Sequence, residues 1–125
     1  MTTTANHATV RATSGEKLWV VLTPIKADKR VEFEHFVQDI VLPAVKRIAP
    51  DIYRQVRVLY PTQVDADGAY IYAFLMDPLI PDTSYQFSIL FRQAYTEDET
   101  QAYLRIWEDV QAAPQRVHEF VQSSW

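Results

Sequence analysis

Proton transfer near neutral pH falls first to histidine, and this sequence offers three: His7, His35 and His118. His7 sits in a Thr- and Ala-rich opening with no second histidine or carboxylate beside it, and His35 belongs to the charged side of a predicted helix, near Glu34 and Asp39. His118 alone falls on a predicted strand, which makes it the acid/base candidate by elimination; an interface or edge-strand histidine is the other reading. Tyr72 and Arg57 fall on the same predicted sheet face as His118, although a tyrosine there can simply pack and an arginine can simply pair with an acid. The sequence has no cysteine, which excludes thiolate metal sites, iron–sulfur clusters, disulfides and cysteine nucleophiles. With Gly15 and Gly68 as its only glycines, it contains neither a phosphate-binding loop nor a dinucleotide fingerprint. Asp65 and Asp67 have the spacing that opens a calcium loop, but no acid follows where a bidentate ligand is needed, so a hairpin turn is expected and no metal or other cofactor is assigned.

These side chains need a scaffold, and 125 residues with 48% hydrophobic and 22% charged character are enough for one domain with its own core. A net charge of -4 with no basic run gives no footprint for nucleic acid or an anionic membrane. No stretch approaches the ~20 apolar residues of a membrane span, and the opening lacks a signal-peptide core, so a cytoplasmic protein is expected. Residues 1–16 show no strong period and are expected to form a flexible arm ahead of a single domain over 17–125.

The hydrophobic periods supply the elements. Leu18 to Thr23 predicts a first strand stopped by Pro24. Phe33, Phe36, Val37, Ile40, Val41, Ala44, Val45 and Ile48 then recur at three- and four-residue steps, predicting a long helix kinked at Pro43. Tyr53 to Tyr60 and Ala69 to Met76 alternate with a period of two around Asp65-Ala66-Asp67-Gly68, predicting a hairpin. Thr83 with Gln86, and Thr96 with Glu99, have capping-box spacing ahead of two helical segments. Arg116 to Gln122 alternates as a last strand.

The order is βαββαβ: an α+β, ferredoxin-like sandwich with a four-stranded antiparallel sheet and helices on one face. An aliphatic parity (Leu18, Val20, Leu22, Val56, Val58, Ile71, Ala73, Leu75, Val117, Val121) is expected beneath the helices. The opposite parity (Trp19, Val21, Tyr53, Gln55, Arg57, Leu59, Tyr70, Tyr72, Phe74, Met76, Arg116, His118, Phe120) is then expected to meet a second subunit or a ligand.

With this element order, an aromatic sheet face and a first helix running Phe33-Glu34-His35-Phe36 through Val41-Leu42-Pro43-Ala44, the sequence resembles the dimeric α/β-barrel superfamily. That superfamily contains antibiotic-biosynthesis monooxygenases, EthD-like proteins and small polyketide cyclases. The resemblance implies a homodimer joined through its sheets, with a small-molecule pocket between sheet and helices. It also implies a cofactor-independent oxygenase or cyclase/isomerase acting on a hydrophobic aromatic or polyketide-like compound, or else a non-catalytic ligand-binding or structural domain. Under the enzymatic reading His118 would move the proton, Tyr72 and Arg57 would steady an enolate, and Trp19, Tyr70, Phe74 and Trp107 would wall the substrate.

Overall fold

The structure is a computed structural model and describes residues 11–80 and 85–124. Strand β1 (Lys17–Ile25) leads through a short 3-10 turn into helix α1 (Arg30–His35), a π-helical turn (Phe36–Val41), α2 (Leu42–Ile48) and α3 (Pro50–Gln55). Strands β2 (Val56–Leu59) and β3 (Tyr70–Met76), helices α4 (Phe87–Ala94) and α5 (Glu97–Val110), and strand β4 (Arg116–Val121) complete the order. The four strands form one antiparallel sheet in the order β2-β3-β1-β4, the ferredoxin-like arrangement expected from the sequence.

Local chemistry explains where each element begins and ends. Strand β1 continues through Pro24 because its pairing with β4 ends at Leu22, so no ladder bond is lost at the missing N–H; the Pro24 carbonyl accepts from Ala112 N at 2.9 Å. Ahead of Pro43 the helix widens, with Leu42 N–H donating to the Val37 carbonyl, so the proline enters as an early residue of α2 and the chain stays helical. The expected strand over Tyr53–Tyr60 is shorter than its alternation implied. Pro50 starts a helical segment that carries Tyr53 and Gln55 off the sheet, and only Val56–Leu59 pairs. In the β2–β3 connection, Asp65 Oδ1 accepts from Asp67 N at 2.9 Å and Ala69 N at 3.0 Å, and Gly68 supplies a φ of +83°. Thr96 and Glu99 form the expected capping box on α5, while Thr83, the other predicted cap, lies outside the described residues.

The expected sheet parity is corrected by the register. Val21 pairs with Phe74 and Val117, Thr23 with Tyr72, and Val58 with Phe74, so these residues share one face. That face is the helix side: Val21, Ile25, Tyr72 and Phe74 pack with Phe33, Phe36, Val37, Phe91 and Val110 in the buried core. Phe33 and Tyr72 are fully buried and meet edge to face at 4.7 Å, and Phe36 stacks on Trp107 at 6.0 Å. Leu18, Val20, Leu22, Ile71, Ala73 and Leu75 therefore lie on the uncovered face together with Arg57, Leu59, Arg116, His118 and Phe120. Both parities are apolar, so alternation alone carried no mark of which one meets the helices; aromatic side chains on α1, the π turn, α4 and α5 match the aromatic parity.

Within the segment expected as an arm, His7 lies outside the described residues, whereas residues 12–16 are tied to the domain. Ala12 is buried and its N–H donates to Asp77 Oδ1 at 2.6 Å, and Gly15 N–H donates to the Gln122 carbonyl at 2.9 Å. Among the described residues no helix is long and apolar enough to cross a membrane.

Candidate functional site

Between the helix side of the sheet and the helices lies a cavity of about 630 Å³, within the range of small-molecule sites. Trp19, Val21, Val56, Val58, Phe74, Met76 and Val117 form its sheet wall. Val41, Leu42, Val45, Leu90, Leu104 and Trp107 form its helical wall. Among the described residues its lining contains no Asp, Glu, His, Lys or Arg. The polar contributions come from Tyr85, Gln86, Ser88 and Gln115, with the indole of Trp19.

Most of those polar groups are already committed. Trp19 Nε1 donates to Glu119 Oε1 at 3.1 Å, which, with Lys17 nearby, holds the Glu119 carboxyl below its usual range and fixes the indole at the cavity wall. Gln115 Nε2 donates to Thr23 Oγ1 at 3.0 Å. Tyr85 lies 5.6 Å from the Trp19 ring and accepts from Ile80 N at 3.0 Å; burial pushes its phenol up, so it stays protonated at neutral pH.

Three of the four predicted wall residues, Trp19, Phe74 and Trp107, line this cavity. Tyr70 does not; its ring carries the Arg30 guanidinium at 3.9 Å. The three predicted catalytic residues are not brought together. Arg57 and His118 lie on the uncovered face, on the two outer strands, so three inter-strand spacings separate their backbones by ~14 Å. Arg57 is paired with Asp77, and His118 is exposed beside Phe120 with 6.5 Å between rings. Tyr72 lies across the sheet in the core, where its hydroxyl donates to Glu34 Oε2 at 2.5 Å and accepts from Arg30 Nε at 3.2 Å. Burial and the Glu34 carboxylate push this phenol up to about 12.

Tyr85, Ser88 and Gln115 were not anticipated as site residues. Their sequence signal was slight: Gln86 falls at capping-box spacing from Thr83, which directed attention to helix initiation, while in the structure Gln86 precedes α4 without a side-chain cap.

No protein-family model matches this chain, and no curated protein matches it. Two solved structures resemble it. One is a candidate antibiotic biosynthesis monooxygenase from Caulobacter crescentus CB15, with 13% identity, a TM-score of 0.47, and coverage of 89% of this chain and 92% of that one. The other, also a candidate antibiotic biosynthesis monooxygenase, is from Bordetella bronchiseptica, with 16% identity, a TM-score of 0.45, and coverage of 87% and 98%. The ferredoxin-like class rests on this chain's own strand order and register.

Proposed function

We propose that this protein binds an uncharged, largely aromatic small molecule of hydrophobic or polyketide-like character in the cavity between sheet and helices. The observation that carries the reading is the lining: a drug-sized space walled by Trp19, Phe74, Phe87, Trp107 and aliphatic side chains, with no charged residue among those described. An ionic ligand would lose its hydration there without gaining a counter-charge, whereas a flat apolar one would gain burial and ring contacts.

Binding without turnover is favoured over catalysis. Cofactor-independent oxygenation or cyclisation calls for an acid/base with a pKa near the working pH. The one titratable lining group among the described residues is Tyr85, whose shift is upward and away from neutrality. Titration with fluorene, followed by quenching of tryptophan fluorescence from Trp19 and Trp107, tests the reading. Saturable quenching is expected, weakened about tenfold in Val58→Phe, which places a larger ring in the cavity. Absence of saturable binding would reject it.

The uncovered sheet face supports a homodimer as the working form. Leu18, Val20, Leu22, Ile71, Ala73 and Leu75 make a continuous apolar surface across the two central strands, bordered by Leu59 and Phe120 on the outer ones, at 47% and 51% exposure. A patch of this kind on a soluble domain signals a partner, and a second copy offers the same flat apolar surface in return.

A further inference from the structure

An apolar cavity retains many flat hydrocarbons with similar strength, so discrimination among them requires a polar group that is not already satisfied. Two lining groups are already engaged in whole or in part: the Trp19 indole N–H is held by Glu119, and one of the two N–H donors of the Gln115 amide by Thr23. Tyr85 differs. Its oxygen accepts the Ile80 N–H at 3.0 Å, while its own proton meets no acceptor among the described residues. A phenol carries one O–H donor, and among the described residues that donor is left over on a half-buried side chain lining the cavity. The ring is steadied by Trp19 at 5.6 Å and the oxygen by the Ile80 amide, so little ordering is needed before the hydroxyl can engage a ligand.

We propose that Tyr85 is a specificity-determining residue of the cavity, donating its phenolic proton to an uncharged acceptor oxygen, such as a ketone or quinone carbonyl, on an otherwise apolar ring system. This rests on the binding reading above and adds to it the polar feature that the ligand must carry. A carboxylate is excluded as the preferred acceptor, because no lining cation is present among the described residues to offset its desolvation.

The paired probes are 9-fluorenone and fluorene, flat and uncharged molecules that differ by one carbonyl oxygen. The wild-type protein is expected to bind fluorenone about fivefold more tightly than fluorene, the size of one net hydrogen bond. Tyr85→Phe keeps the ring against Trp19 and is expected to abolish that difference by weakening fluorenone alone; unchanged fluorene affinity shows that the cavity has survived. The infrared carbonyl stretch of bound fluorenone should lie at lower frequency in the wild type than in Tyr85→Phe. Equal fluorenone affinity and equal carbonyl frequency in the two proteins would overturn the role of Tyr85 while leaving the cavity as the binding site. Failure of the wild type to bind either probe would overturn the cavity itself.

Discussion

Tyr72 illustrates how a side chain suited to catalysis by type can be structural by placement. Its hydroxyl sits between the Arg30 guanidinium and the Glu34 carboxylate, and its ring packs on Phe33 and Tyr60. Arg30 in turn lies over Tyr70 and donates to the Pro61 carbonyl at 3.4 Å, so the cluster ties α1 to the β2–β3 connection and β3. Because the folded protein holds the Tyr72 proton up to about 12, against an ordinary value near 10, the unfolded chain ionises first as pH rises. The stability that this group contributes is therefore fully present below about pH 10 and lost between about 10 and 12. Urea denaturation at pH 9 to 12 should show a decline that is shallower in Tyr72→Phe; an identical slope would contradict the shift. His118→Ala should leave fluorene affinity unchanged, because His118 faces away from the cavity; a loss of several-fold would place the ligand on the uncovered face. Residue type in the sequence singled out Trp19, Phe74 and Trp107, which line the cavity, because large aromatics near a sheet are informative wherever they point. It could not find Tyr85, whose importance lies in which of its hydrogen bonds is already made.

At the scale of elements, the signals that succeeded were local. The Thr96–Glu99 capping box is satisfied on both sides, with Glu99 N–H donating to Thr96 Oγ1 at 3.2 Å and Thr96 N–H donating to Glu99 Oε1 at 3.0 Å. Thr96→Ala is expected to cost about 1 kcal/mol in chemical denaturation, and a change within experimental scatter would mean that the cap adds nothing to α5. The Asp65–Gly68 turn was legible for the same reason, since its bonds close within five residues. Signals that needed a partner across the fold were not legible. Tyr53 and Gln55 alternate like strand residues, yet Pro50 and the packing of α2 against α3 take them into a helix. The faces of β1 and β3 were reversed, while those of β2 and β4 were correctly expected for Val56, Val58, Val117 and Val121. Registers between strands distant in sequence decide such phases, and no single strand contains that information.

For the whole molecule, one sheet carries two apolar faces that the helices cover differently. Helices cover the aromatic face incompletely, leaving the cavity, and they leave the aliphatic face open. Sedimentation is expected to give twice the 14.5 kDa chain mass, and Phe120→Glu, at a position already 51% exposed within one chain, should shift the equilibrium toward monomer without lowering monomer stability. A wild type that remains monomeric at high concentration would contradict the dimer. The two faces can also be told apart in one methyl NMR titration with fluorene, since each has its own aliphatic residues. Binding in the cavity predicts saturable shifts at Val41, Val45, Val56, Val58 and Leu104, with Leu18, Val20, Leu22, Ile71 and Leu75 unmoved. Shifts confined to the second group, or none in either, would contradict the cavity as the site.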